Sequence, residues 1–120
     1  MTGSAIVVDD HASFRRAAIE MLISVGCVVV GEAATGRDGL AVISESSPDF
    51  VLLDVQLPDI DGFEVLRLLN EGEQPPKVVL VSTRSADDYS SRLVESGAFG
   101  FVSKGDLSLE LLRQLVGASS

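Results

Sequence analysis

The chain has 120 residues, 46% of them hydrophobic and 22% charged, with a formal net charge of −9 at pH 7. That length fits one domain, spanning residues 1–120, with a single core. Acidity on this scale disfavours direct binding to a nucleic-acid backbone, and no uninterrupted apolar run is long enough for a membrane helix.

"SAIVV" (residues 4–8) reads as the first strand. The preceding residues carry no basic leader, and Asp9 and Asp10 follow the apolar run at once, which is wrong for a secretory signal. The expected location is the cytoplasm. A first helix is predicted over Ala12 to Val25, with Phe14, Ala17, Ala18, Met21, Leu22 and Val25 at helical spacing and Gly26 as its cap. "CVVVGEA" is the second strand, and Cys27, the sole cysteine, reads as a small buried hydrophobe there. A second helix begins near Gly36 to Asp38 and presents Leu40 and Ile43. "DFVLLD" is the third strand, and a third helix after Gly62 carries Phe63, Leu66 and Leu69 on one stripe. "KVVLVS", a helix from Ala86 to Ser96 anchored by Tyr89 and Leu93, "FGFVS" and a last helix after Asp106 complete the chain. The closing "GASS" is compatible with a frayed terminus or the start of a linker.

The strands are apolar without alternation, so they are expected to be parallel and covered by helices on both faces. Five strand–helix units in succession predict an α/β sandwich with right-handed crossovers. In such sheets, functional groups collect beyond the carboxyl ends of the strands. Here those ends carry Asp9 and Asp10, Asp54, Ser82 and Thr83, and Ser103 and Lys104. Three carboxylates in one crevice require a compensating cation. An all-oxygen set with room for water suits Mg²⁺, and Lys104 adds a second positive centre. Phosphoryl transfer fits this chemistry, with Asp54 as nucleophile and Ser82 and Lys104 as contacts to phosphoryl oxygens.

The pair Asp9–Asp10, the segment "LLDVQLPDIDGFEVL" around Asp54, "LVST" with Ser82 and "SGAFGFVSK" with Lys104 stand in order along the whole chain. Together they resemble the receiver domain of bacterial two-component response regulators. The resemblance implies a flavodoxin-like (βα)5 doubly wound sheet of order 2-1-3-4-5. It makes Asp54 the phosphoacceptor, Asp10 a direct Mg²⁺ ligand, Asp9 a ligand acting mostly through water, and the Gln56 backbone carbonyl a further ligand. Ser82 becomes the switch hydroxyl, Lys104 the phosphate-binding lysine and Phe101 the aromatic switch residue. The implied partner is a sensor histidine kinase or phosphotransfer protein, with phosphorylation-dependent homodimerisation as a further expectation. The domain then acts as a phosphoacceptor that dephosphorylates itself slowly, rather than as a turnover enzyme. The face built by the fourth helix, fifth strand and fifth helix is expected to carry the signal to an output such as transcription.

One departure concerns Gly105, which stands where many receivers have proline; this form resembles receivers attached to LuxR-type DNA-binding domains. Gln56 and Arg84 flank the phosphate route at positions that vary across the family. Rival readings are a metal-dependent hydrolase with an aspartyl-phosphate intermediate, a receiver-like binding module that works without phosphorylation, and a flavin carrier of the same fold. Taken singly, Asp10 suits a helix N-cap, Ser82 or Thr83 a cap of the fourth helix, Phe101 plain core and His11 an exposed helix start. Asp59 and Asp61 read as loop and capping groups, and Arg15 and Arg16 as solvated charges.

Overall fold

A computed structural model describes residues 3–117. In chain order these form β1 (Ser4–Val8), α1 (Ala12–Ser24), β2 (Val28–Ala33), α2 (Gly36–Ser46), β3 (Phe50–Asp54), α3 (Gly62–Asn70) and β4 (Lys77–Ser82). A 3-10 turn (Ala86–Tyr89) then runs into α4 (Ser90–Ser96), followed by β5 (Gly100–Ser103), a second 3-10 turn (Lys104–Asp106) and α5 (Leu109–Gly117). The five strands pair in parallel in the order β2-β1-β3-β4-β5, which is the topology the resemblance implied. Of the closing "GASS", residues 118–120 lie outside the described residues.

The sheet has a core on each face. Along β1, Ala5 and Val7 point into a cluster with Leu22 of α1, Leu52, Val79 and Leu112 of α5. Ile6 and Val8 point the other way, toward Leu53, Val65, Leu66 and Leu80. Both sets are buried, so β1, β3 and β4 show no apolar–polar alternation. Gly26 ends α1 with φ 98°, a left-handed conformation that glycine adopts without cost.

Three expectations need correction. β2 is not covered on both faces: Val28 is 65% and Val30 43% exposed, because this strand is a sheet edge and helices cover only its inward residues. Cys27 is buried as expected but precedes the strand; its N–H bonds the Leu22 carbonyl at 3.0 Å, and burial pushes the thiol pKa up. The fourth helix is split. Ser85 N–H donates to Asp88 Oδ2 at 3.2 Å in a capping box that favours a tight first turn, and α proper begins only at Ser90. Neither Ser82 nor Thr83 is its cap.

Candidate functional site

Strand register brings the polar ends together. Val8 of β1 lies opposite Leu53 of β3, Asp54 opposite Val81 of β4, and Ser82 opposite Ser103 of β5. The next residue along β1 is therefore Asp9, level with Asp54, and the residue after Ser103 is Lys104. A parallel sheet with no slip at this edge delivers all four to one rim.

Asp9 is fully buried and Asp54 nearly so. The N–H of His11 donates to Asp9 Oδ1 at 2.8 Å, and the Asp9 backbone is tied to Ala33 O by its N–H at 3.0 Å. Lys104, its side chain 10% exposed, places Nζ 2.7 Å from Asp9 Oδ2 and 3.4 Å from Asp54 Oδ2. The closer contact is an ion pair without hydrogen-bond alignment, so Asp9 Oδ2 is a buried oxygen lacking a donor. The ammonium also lies 4.5 Å above the ring of Phe14, which steadies it from α1.

Asp54 Oδ1 accepts the Gln56 N–H at 3.2 Å. Burial, then the negative charge of Asp9, pushes its carboxyl from 3.8 up to about 6, against the opposing pull of Lys104 and the Gln56 N–H. A cation added near these oxygens would favour the charged form. Asp9, Asp10, His11 and Asp54 each bring one ligand atom to within 4.8 Å of the others. The undonated Asp9 Oδ2 and this mostly oxygen donor set fit a hard divalent cation. Asp10 is exposed, its Oδ1 3.3 Å from His11 Nδ1. It does not cap α1, whose N-cap is His11 without a side-chain bond.

Ser82 is fully buried and linked by no hydrogen bond to the carboxylates among the described residues. Its Oγ lies 2.9 Å from Tyr89 Oη and accepts the Arg84 N–H at 3.1 Å. The Tyr89 ring is tilted between Phe63, 5.5 Å away, and Phe101, 5.8 Å away. Phe101 is half-buried in this stack. Arg84 is exposed, and its carbonyl accepts from Ser103 Oγ at 3.0 Å. Gly105 lies in the 3-10 turn after β5, with open space where a Cβ would stand.

Sequence reasoning left out four contributors. His11 is exposed, as expected, yet its Nδ1 stands 3.4 Å from both Asp9 Oδ1 and Lys104 Nζ. Arg15, read as solvated, donates Nη1 to the Asp9 carbonyl at 2.7 Å and Nε to Glu32 Oε1 at 2.6 Å, fastening the β1–α1 loop to β2. Phe14 and Tyr89 looked like ordinary helix anchors. Their spacing carries no sign of the ammonium or the hydroxyl that each meets.

The family model described as the response regulator receiver domain matches residues 5–116. The response regulator GacA of Pseudomonas aeruginosa is 41% identical over 101 residues, covering 83% of this chain and 47% of that protein. A protein-glutamate methylesterase/protein-glutamine glutaminase of Geobacter sulfurreducens is 42% identical over 100 residues, covering 82% of this chain and 27% of that protein. The crystal structure of a LuxR-family DNA-binding response regulator from Staphylococcus aureus superposes with a TM-score of 0.87 at 26% identity, covering 98% of each chain. The chain spans about half or less of the length of the curated relatives it matches. No helix among the described residues is long and apolar enough to cross a membrane.

Proposed function

Since the chain belongs to the response regulator receiver family of two-component systems, we propose that Asp54 accepts a phosphoryl group from phosphohistidine on a sensor histidine kinase or phosphotransfer protein. The observation that carries this reading is the buried Asp54 carboxylate, flanked by Asp9 and by the Lys104 ammonium at the carboxyl edge of the sheet. Asp9, Asp10, Asp54 and the Gln56 carbonyl would hold Mg²⁺, which would supply charge neutralisation for the incoming phosphoryl oxygens.

In the forward step an Asp54 oxygen attacks phosphorus, the P–N bond to the donor imidazole breaks, and the electron pair leaves with that imidazole. Lys104 contacts a phosphoryl oxygen, for which it moves off Asp9. In a separate step water attacks phosphorus, the P–O bond to Asp54 breaks, and inorganic phosphate leaves with the carboxylate restored. This slow self-dephosphorylation is the only turnover assigned to the domain.

The signal is a shift between two states with different contacts to the phosphoryl group. Ser82 Oγ turns toward a phosphoryl oxygen, and Phe101 turns from its half-buried place into the space released. The face formed by α4, β5 and α5 then changes shape for a partner or a second copy of the chain. Transcription is the output favoured by the likeness to a LuxR-family DNA-binding response regulator, acting through a separate domain because the net charge of −9 suits this one poorly to DNA. The setting is the cytoplasm, where histidine kinases present their phosphohistidine.

Intact mass after incubation with a small phosphodonor and Mg²⁺ tests the reading, with wild type beside Asp54→Asn. One added phosphoryl group on wild type, absent from the variant and abolished by chelator, is expected. Absence of an adduct, together with absence of beryllofluoride binding, would leave a binding module that works without phosphorylation.

A further inference from the structure

We infer that Tyr89 is a positioning residue for Ser82, its hydroxyl holding the serine Oγ in the resting direction so that phosphoryl binding must break the Tyr89–Ser82 hydrogen bond. This rests on the phosphoacceptor reading of Asp54 and adds to it a residue that sets the equilibrium between the two states.

The geometry is specific. Ser82 is fully buried, and its Oγ has two partners, the Arg84 N–H at 3.1 Å and Tyr89 Oη at 2.9 Å. A serine hydroxyl has one proton and two lone pairs. With one lone pair taken by Arg84 N–H, the contact with Tyr89 uses either the remaining lone pair or the proton. Where Ser82 donates to Tyr89, that proton is diverted from any phosphoryl oxygen. Where Tyr89 donates, turning Oγ toward Asp54 still parts the two hydroxyls.

Tyr89 has little freedom to follow. It ends the 3-10 turn before α4, with its ring wedged between Phe63 and Phe101 at centroid distances of 5.5 and 5.8 Å. The same ring stands beside Phe101, whose inward turn completes the proposed switch. Tyr89 thus touches both switch residues from one side, and loss of its hydroxyl alone weakens the resting state without removing the ring that packs it. A net hydrogen bond of ordinary strength corresponds to a shift of about three- to tenfold in the equilibrium.

The test is a double-mutant cycle read by binding of beryllofluoride, a phosphoryl stand-in, in the presence of Mg²⁺. Wild type, Tyr89→Phe, Ser82→Ala and the double variant are titrated and followed by fluorine NMR, with urea unfolding confirming that each is folded. Tyr89→Phe is expected to bind about three- to tenfold tighter than wild type, and to give no gain in the Ser82→Ala background. A packing role alone would not depend on Ser82. Unchanged or weaker binding by folded Tyr89→Phe, or a gain that persists without the serine hydroxyl, overturns the proposal. Tyr89 is also the only tyrosine, in a chain without tryptophan, so the wild type carries its own probe. Its fluorescence is expected to change when beryllofluoride binds, and a constant signal at saturation counts against the broken hydrogen bond. If none of the four proteins binds beryllofluoride and Asp54 takes no label, the phosphoacceptor reading falls and this one with it. Binding that is indifferent to Tyr89 removes only the positioning role.

Discussion

Lys104 lies closer to Asp9 than to Asp54: its Nζ is 2.7 Å from Asp9 Oδ2 and 3.4 Å from Asp54 Oδ2. The lysine is therefore first the counter-ion of a fully buried aspartate and only secondarily a neighbour of Asp54. The pair is not aligned as a hydrogen bond, so on the proposed function a metal ion would compete with the lysine for Asp9 Oδ2. On the proposed function, that exchange would free the ammonium for a phosphoryl oxygen.

Lys104→Met keeps the apolar stem against Phe14 and removes the charge. Under chelator, the buried Asp9 carboxylate loses its counter-ion, and unfolding free energy is expected to drop by about 3 kcal/mol. Saturating Mg²⁺ should close most of that gap, since a divalent ion compensates the same oxygens. Urea unfolding with and without Mg²⁺ measures both; an equal loss in the two conditions would mean that the ion and the lysine do not share Asp9.

Asp54 gives stability a pH dependence of definite sign. Burial and Asp9 raise its carboxyl from 3.8 to about 6 in the fold, so between those values the folded state holds a proton that the unfolded chain has released. Metal-free stability therefore falls as pH rises through about 4 to 6 and levels off above, by at most about 3 kcal/mol. Asp54→Asn should flatten that part of the profile and make the chelated protein more stable than wild type at neutral pH. A variant whose profile keeps the wild-type slope would place the cause in another group.

The sheet and the acidic rim were legible for reasons that differ from those behind the misses. β3 is buried along its length, and its polar terminus, Asp54, stands out against "FVLL" in any local window. The exposure of Val28 and Val30 follows from β2 lying at the sheet edge, which depends on strand order and not on the strand's own residues. Tyr89 and Phe14 have the spacing of core anchors, and that is true of their rings. What distinguishes them is a partner brought in by the fold: Ser82 across the β4–α4 turn, and Lys104 from the end of β5. Arg15 follows the same pattern, its guanidinium reaching both the Asp9 carbonyl and Glu32 of β2.

Gly62, at the start of α3, lies against the end of β3. Its N–H donates to the Val55 carbonyl at 2.8 Å, and a Cβ there would overlap the Asp54 carbonyl oxygen and sit 2.9 Å from Val55 Cα. These are backbone atoms, unable to turn aside as a side chain can. Gly62→Ala is expected to cost about 1–3 kcal/mol and to slow labelling of Asp54 by a small phosphodonor, because relief requires the end of β3 to move. Normal labelling kinetics in a destabilised variant would show that the strand end keeps its place and that α3 gives way instead.

Asp59 joins the loop after β3 to the start of α2. Its two carboxylate oxygens accept the N–H groups of Gly36 at 2.8 Å and Arg37 at 2.9 Å, while Thr35 Oγ1 accepts the Asp38 N–H at 3.1 Å. Donors that α2 cannot satisfy internally are thus met from another loop, and an anion sits at the positive end of the helix. These bonds, led by the Arg37 N–H, hold the Asp59 carboxyl at about 2, below its ordinary 3.8. With the folded value depressed, the contribution is complete above about pH 4 and disappears as pH falls through about 2. Asp59→Ala should lower the melting temperature at neutral pH, speed amide exchange at Gly36 and Arg37, and leave no difference from wild type at the acid end of that window. Unaltered exchange at those two amides would mean that Thr35 alone holds the first turn of α2.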